Sequence, residues 1–492
     1  MDDRPYPYPN WKRVGFTLPP DPKTSGRGIG VLILDTLQPH VSLQHLGQRL
    51  IYVTVHDDLS VTTLPLSPRS SPLSVGEDDG EHGIMSMLLA AHAPFELNGQ
   101  YYTGLAPAAT YIVLNHGVFH LGESERLKRG MSWILERRDE WNLRIVLTTG
   151  WNTYNSYGWI EPTHIKPTVQ GLVPAIEAGL LVIAANGNSR FVNELPPVEY
   201  LSVGGFNDYP LSTTSAHSAY PDQPWGLNGD GDLRPDILAP MLYLAIPYCE
   251  YSPASQPLSY AWYTSGASAL VVGICAHILG KYPQLTPSLV RQALLQGGDP
   301  IAEYSNPAPV VNVTKTLELL EAPLHLRLPT LEQSRPIRID QPEQIIGSVD
   351  PVERGLALTL LAKHNRCRRD QLWQHTCDPS HIVRKVAIRA LEKSLDSAER
   401  ERFWARLETE PECGVRGYWA YGLLHDAPSE EFHRWIAWAD DVNWSVRWCV
   451  SEYLAKHPGF LQLELTADLD LTRARAWELR TWGGSKTGDA RI

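Results

Sequence analysis

Cysteine is scarce in this chain: Cys249, Cys275, Cys367, Cys377, Cys413 and Cys449 are scattered without a pattern over 492 residues. Such spacing does not build a disulfide framework and points to a reducing compartment, so a cytoplasmic location is expected. A basic excess is also lacking. Lys and Arg number 43 against 55 Asp and Glu, and the net charge of −12 repels phosphate backbones and anionic lipid. Nucleic acid is therefore not an expected partner. The opening segment MDDRPYPYPNWKRVG carries acid where a secretory signal carries base, and it has no apolar run. Long apolar stretches are missing elsewhere too. The longest, ALVVGICAHIL after Ser268, is short of the roughly 20 residues that cross a bilayer and has the size of a buried helix, so no membrane span is expected.

What is present divides the chain in two. From Gly28 to Leu320, short β-branched runs (GIGVLILD, TYIVLNHG, RIVLTTG, LLVIAANGN, YLSVGG) alternate with segments whose apolar residues recur three or four apart (EHGIMSMLLAAH, ESERLKRGMSWILERRDEW, PTVQGLVPAIEAG). That alternation predicts an α/β domain, a parallel sheet with helices on both faces. Residues 1–27 form an N-terminal extension in which Tyr6-Pro7-Tyr8-Pro9-Asn10-Trp11 is extended and ring-rich. Two readings of it stand side by side, a plug across a cleft and a strap packed on the domain surface. Residues 321–348 hold several prolines and no sustained period, as a linker does.

Residues 349–492 repeat. Val352, Val383, Val415 and Val446, each followed within two positions by Arg, are spaced by 31, 32 and 31 residues and stand ahead of apolar helical runs. Regular spacing of this kind predicts an all-α solenoid in which each helix pair buries its apolar face against its neighbours. The pattern resembles HEAT repeats with a shortened period. Nine of the 16 tryptophans lie beyond residue 370, at Trp373, Trp404, Trp419, Trp435, Trp438, Trp444, Trp448, Trp477 and Trp482. They are expected to fill the core of this region, and any that face solvent would be anchors for a protein partner.

Three residues in the first domain carry the types needed for acyl chemistry. Asp35 ends the apolar run Val31-Leu32-Ile33-Leu34, where open α/β sheets place functional groups. His82, within Asp79-Gly80-Glu81-His82-Gly83, leads into an apolar helix, and Ser265, within Thr264-Ser265-Gly266-Ala267, opens another. Singly, each has an ordinary explanation: a turn or cap carboxylate, a structural histidine, an N-cap serine. Together, in the order Asp, His, Ser, they resemble the subtilisin family over about residues 28–320. Four more segments share in the resemblance: Gly104-Leu105-Ala106-Pro107-Ala108-Ala109, Val182-Ile183-Ala184-Ala185-Asn186-Gly187-Asn188, Arg234-Pro235-Asp236-Ile237-Leu238-Ala239-Pro240, and Leu285-Thr286-Pro287.

The resemblance implies a subtilisin-like fold and a serine endopeptidase. Ser265 would be the nucleophile, His82 the general base and Asp35 the group that orients it. Asn188 would donate to the oxyanion. Thr148, Thr149 and Gly150, with Ala184, Ala185 and Asn186, would line the substrate cleft, and Asn186, where the family has a smaller residue, would narrow or polarise the S1 pocket. No cofactor is required. A structural calcium ion is compatible with the acidic loops Glu77-Asp78-Asp79 and Asp230-x-Asp232, although no ordered ligand spacing marks one. His364-x-x-Cys367 and His375-x-Cys377 carry zinc-type ligands but lie too close together and do not recur, so they read as helix-surface and core residues and no metal centre is assigned. Three positions depart from the family: Leu37 and Tyr263 stand where it has Gly, and Gly266 stands where it has Met. The repeat domain implies a protein substrate or a regulatory protein as partner. An inactive scaffold on the same fold and an acyl hydrolase acting on non-peptides remain the alternatives.

Overall fold

The computed structural model describes residues 9–35, 41–63, 81–97, 99–115, 124–149, 167–187, 195–207, 218–219, 226–227, 232–241, 244–247, 258–261, 263–300, 308–321, 341–349, 351–392, 395–411 and 413–439, with single residues and pairs to His457. Its strands are β1 (Gly30–Leu34), β2 (Leu50–Val55), β3 (Val61–Thr63), β4 (Phe95–Leu97), β5 (Gln100–Tyr102), β6 (Thr110–Asn115), β7 (Leu143–Thr148), β8 (Leu181–Ala185), β9 (Leu201–Asn207), β10 (Ser218–Ala219), β11 (Gly226–Leu227), β12 (Leu233–Arg234), β13 (Ile237–Pro240), β14 (Leu244–Pro247) and β15 (Leu258–Ala261). Among the described residues the main sheet runs β10-β9-β8-β7-β1-β6-β2-β3, and β13 also pairs with β9. All of its pairings are parallel except β2 with β3 and β9 with β10.

Both faces of this sheet are covered, which is why its strands read as unbroken apolar runs rather than alternating ones. On one face Val31 and Ile33 pack with α2 (Glu81–Ala91) and α5 (Tyr263–Lys281). On the other, Leu32 and Leu34 pack with α3 (Ser124–Leu135) and α4 (Pro167–Glu177). Each of these four aliphatic side chains is buried, which stabilises the fold by about 1.5–3 kcal/mol per side chain. The chain leaves β1 for β2 and then β6 on one side and later crosses to β7 on the other, so β1 lies at the switch point where α/β sheets open a crevice at the strand C-termini.

The helix α5 corrects one sequence-based expectation. With 19 residues it is long and apolar enough to cross a bilayer, because it continues beyond the apolar run that was read from the sequence. In the fold, 83% of its apolar window is buried in the protein core. It packs against α2 and against β7, β8, β9 and β13.

Residues 9–16 form a strap. Within it lies α1 (Asn10–Arg13), and the Asn10 amide pairs with the β14 backbone twice, donating to Ala245 O at 2.7 Å and accepting from Ala245 N at 3.0 Å. Trp11 Nε1 donates to Tyr101 O at 2.9 Å, and Val14 O accepts from Val313 N at 3.0 Å at the start of α7 (Val313–Glu321). Tyr6, Pro7 and Tyr8, on which the plug reading also rests, lie outside the described residues.

Two histidines, His92 buried and His277 partly buried, lie where the strap and the sheet meet α2 and α5. His92, just past α2, has Nδ1 2.9 Å from Ala93 O, and His277 of α5 has Nδ1 2.8 Å from Ser25 Oγ with the Phe16 ring set edge-on at 5.0 Å. Burial pushes both imidazoles down from 6.5 to about 4. Below pH 6.5 the unfolded chain thus takes up protons that the folded chain does not. Stability present above that pH should fall by about 1.4 kcal/mol per pH unit for each ring as pH drops towards 4. Denaturant midpoints measured across pH 7 to 5 should show this slope, and His277→Gln should roughly halve it; an unchanged slope would mean that other groups cause the acid sensitivity.

Beyond α6 (Pro287–Gly297) and α7, the described residues are helical: α8 (Pro342–Ile345), α9 (Pro351–Lys363), α10 (Arg369–His375), α11 (His381–Leu391), α12 (Ser397–Thr409), α13 (Cys413–Leu424) and α14 (Phe432–Ile436). The helix α11 packs on α9, α10 and α13; α8 packs on α9, and α12 on α13. One arginine geometry recurs three times. Arg354 grips Asp378 with Nε and Nη2 while Nη1 donates back to Ser348 O and Val349 O. Arg384 does the same to Glu410, with Asp378 O and Pro379 O behind it. Arg416 does so to Asp441, with Glu410 O and Pro411 O behind it. A second series pairs Arg369 with Glu399 and Arg400 with Glu431. Trp373, Trp404, Trp419 and Trp435 are buried among these helices, and Trp438 is partly buried against them. Trp444, Trp448, Trp477 and Trp482 lie outside the described residues. This region meets the sheet domain where α9 lies against β11 and α13 against β10.

Candidate active site

At the C-terminal edge of the sheet, β1 and β7 deliver two polar residues side by side. Their parallel register pairs Leu34 with Thr148, so the next residues, Asp35 and Thr149, are neighbours. Thr149 Oγ1 donates to Asp35 Oδ2 at 2.7 Å. The carboxylate is only 2% exposed, and both of its oxygens stand 2.9 Å from His82 Nδ1. A carboxylate can only accept, so Nδ1 carries the proton and Nε2 is left as the basic nitrogen. His82 sits in the first turn of α2, with its side chain 41% exposed and thus open to solvent beside a buried partner.

Ser265 is the third residue of α5 and is 5% exposed. The helix that carries it packs along α2, which carries His82. A helix N-terminus holds free backbone N–H groups and positive potential, both suited to negative charge developing near Ser265. Ser268, three residues on, is fully buried, and its hydroxyl donates to Ser265 O at 2.8 Å within the same helix. Its hydroxyl thus serves the helix.

The departures at 263 and 266 have physical consequences. Tyr263 adopts a φ of +73°, left-handed backbone that glycine takes freely and a tyrosine takes at a cost on the order of 1 kcal/mol. The residue is 40% exposed, two positions ahead of Ser265. At Gly266 a Cβ would stand 2.6 Å from Leu244 Cδ1 and 3.3 Å from Leu89 Cδ1, so a leucine from β14 occupies the room that a side chain at 266 would need. Leu37 lies outside the described residues.

Thr148 ends β7 and is buried, whereas Thr149 is half-buried and engaged with Asp35. Ala184 and Ala185 end β8; Ala184 packs into the α3/α4 face, and both are buried. The expectation that Asn186 shapes the S1 pocket is corrected here. Asn186 has no exposed surface, and its Oδ1 accepts from Ser202 Oγ at 2.7 Å, so its side chain is committed to the interior between β8 and β9. Gly187 follows with φ +104° and donates from its N–H to Thr264 Oγ1 at 3.2 Å, which ties the end of β8 to the turn that bears Ser265. Asn188 and Gly150 lie outside the described residues, as do Glu77, Asp78, Asp79 and Asp230. Among the described residues no three His, Cys, Asp or Glu side chains converge as a metal site. Cys377 is exposed and accepts from Arg406 Nη2 at 2.8 Å.

Thr149 as a partner of Asp35 was not foreseen, nor was the polar pair of Asn186 and Ser202. For Thr149 a signal existed: a hydroxyl directly after an apolar strand expected to lie in the same parallel sheet as β1. Ser202 gave none, since a serine inside an apolar strand reads as a small core residue.

A buried carboxylate orienting a histidine, set on a helix packed against one that opens on serine, is the arrangement of a serine hydrolase on an α/β sheet. The family model of the subtilase family matches residues 27–304, more than half of the chain, and the chain belongs to that family. It is 25% identical over 293 residues to the serine protease AprX of Bacillus subtilis (strain 168), a match covering 56% of this chain and 62% of that protein. The match therefore spans less than two thirds of this relative's length. Among solved structures, fervidolysin from Fervidobacterium pennivorans, a keratinolytic enzyme related to subtilisin, aligns with 17% identity and a TM-score of 0.42, over 60% of this chain and 43% of that one. Sphericase aligns with 16% identity and a TM-score of 0.45, over 62% and 98%.

Proposed function

We propose that this chain is a serine endopeptidase in which Ser265 attacks the scissile carbonyl, His82 takes its proton and Asp35 stabilises the imidazolium. The carrying observation is the His82 Nδ1 contact of 2.9 Å to both oxygens of a buried Asp35, on a helix packed against the one that opens at Ser265. In the first step Ser265 Oγ bonds to the carbonyl carbon as its proton passes to His82 Nε2, and the carbonyl oxygen becomes an oxyanion. The backbone N–H of Ser265 and the amide of Asn188 hold that charge. The protonated His82 then gives its proton to the leaving amine, and a water deprotonated by the same nitrogen releases the acyl group. The peptide lies along Thr148, Thr149 and Gly150 as an added strand, held by main-chain bonds. The chemistry needs no cofactor, and calcium, if bound, has a structural role only.

The helical region is read as a HEAT-like solenoid that recruits a protein substrate or a regulatory protein, and the protein as cytoplasmic. Supporting the repeat reading is the bidentate arginine geometry, whose members Arg354, Arg384 and Arg416 recur at the sequence period and link each repeat to the acid that begins the next. Purified protein should label with a fluorophosphonate probe and cleave casein. Labelling without cleavage would favour an acyl hydrolase on other substrates, and no labelling would favour a scaffold. Recruitment has its own test. Removing residues 336–492 should leave short-peptide kcat/KM within a few-fold while a native protein substrate loses roughly 10²-fold, because a docking module raises effective concentration without touching the chemical step. Equal losses on both substrates would end the recruitment reading.

A further inference from the structure

Asn186 and Ser202 are an expensive pair for two adjacent strands to bury. Both have zero exposure, and two alanines there would need no partners. Their hydrogen bond belongs to a longer chain of contacts. The backbone of Ser202 is locked to Asp236 on its far side, with Ser202 N donating to Asp236 Oδ2 at 2.7 Å and Asp236 N donating to Ser202 O at 2.9 Å. Asp236 is itself clamped by two guanidinium groups, Arg234 Nη1 at 2.5 Å and Arg291 Nη2 at 3.3 Å. On the near side Ser202 Oγ holds Asn186 Oδ1, the Asn186 backbone N–H donates to Val203 O at 2.9 Å, and the next residue, Gly187, donates to Thr264 Oγ1. Thr264 is fully buried and precedes Ser265. From Asp236 to the Ser265 turn, every link is thus a hydrogen bond or a peptide bond.

We propose that Asn186 and Ser202 are positioning residues for the hydrolysis, holding the end of β8 at the height where Gly187 meets the nucleophile turn. The proposal rests on the catalytic role given above to Ser265. Its physical basis is the sensitivity of acyl transfer to placement: a donor displaced by about 1 Å costs up to 10²-fold, and only transition-state charge feels most of that loss. A hydrogen bond in a dry interior pins the strand end more firmly than packing of two methyl groups would. Neither side chain touches the substrate, so each acts through the loop that it holds.

The test uses the full chain, with active sites counted by fluorophosphonate titration so that misfolded protein does not contribute. Asn186→Ala and Ser202→Ala should each lower kcat per titrated site about tenfold on a short peptide and leave KM within twofold, since substrate contacts are intact. The double variant should fall no further than either single one, because the two side chains act as a unit. Ser202→Cys, nearly the same size but a weak donor, covers the case in which the alanine variants fail to fold, and it should show the same loss of kcat. The proposal is overturned if kcat per titrated site stays within twofold of the parent while only the melting temperature drops. A parent protein that neither labels nor cleaves overturns the catalytic reading itself, and the positioning role with it.

Discussion

Ser265→Ala should lose about 10⁶-fold in kcat, the size of loss measured when subtilisin is deprived of its nucleophile, while its melting temperature stays close to that of the parent. The hydroxyl sits in the first turn of α5, where its removal affects at most about one cap's worth of stability, on the order of 1 kcal/mol. Adding His82→Ala or Asp35→Ala to the same chain should deepen the loss little, because the three groups act as one device. The measurement is single-turnover cleavage of a chromogenic peptide alongside circular dichroism. A control at Ser268 decides the register. Its hydroxyl caps the carbonyl of Ser265 inside the helix, so Ser268→Ala should retain most of the activity. Near-normal turnover in Ser265→Ala with loss in Ser268→Ala would move the nucleophile by three residues and refute the assignment.

Trp419→Ala should be the most damaging single substitution in the helical region. The indole is fully buried, with Phe403 edge-on at 4.7 Å and Trp373 stacked at 6.3 Å, so truncation leaves a large cavity lined by rigid rings. Removing a buried tryptophan costs about 3–5 kcal/mol, and at about 2–4 °C per kcal/mol for a region of this size the shift should be roughly 10 °C. Calorimetry should show a lower-temperature transition that moves while a higher one stays. Short-peptide cleavage measured between the two transitions should persist, because neighbouring helices mainly support one another. One shared transition, with activity lost in step, would show instead that the sheet domain and the helices unfold as a single unit.

The sheet strands and the helices on its two faces were legible because their signal is local: an apolar run of five or six residues, or a spacing of three and four, announces itself wherever it occurs. The boundaries were less so. The segment ESERLKRGMSWILERRDEW reads as one helix, but α3 ends at Leu135 and turns follow to Asn142, whose φ of +45° and side-chain bond to Gly28 O at 2.7 Å set up the entry to β7. The strap gave a mixed signal. Its prolines and rings fit either a plug or a surface segment, and it is long-range contacts, the pairing of Asn10 with Ala245 and the bonds of Trp11 and Val14, that hold residues 9–16 against the domain.

What the sequence by itself determined is the order of chemistry along the chain: an acid after one strand, a histidine and a serine each opening a helix, and arginines recurring at a fixed period. Residue type and spacing carry that information directly, since a nucleophile needs its base and a repeat needs its period. The tertiary structure alone decided how those groups are held. Asp35 meets Thr149 through the register of two strands 114 residues apart, a side chain at position 266 would collide with Leu244, and Asn186 turns to Ser202 instead of to a pocket. Such contacts depend on which strand lies beside which, and strand order comes from the burial of whole faces, a long-range property that no local pattern states.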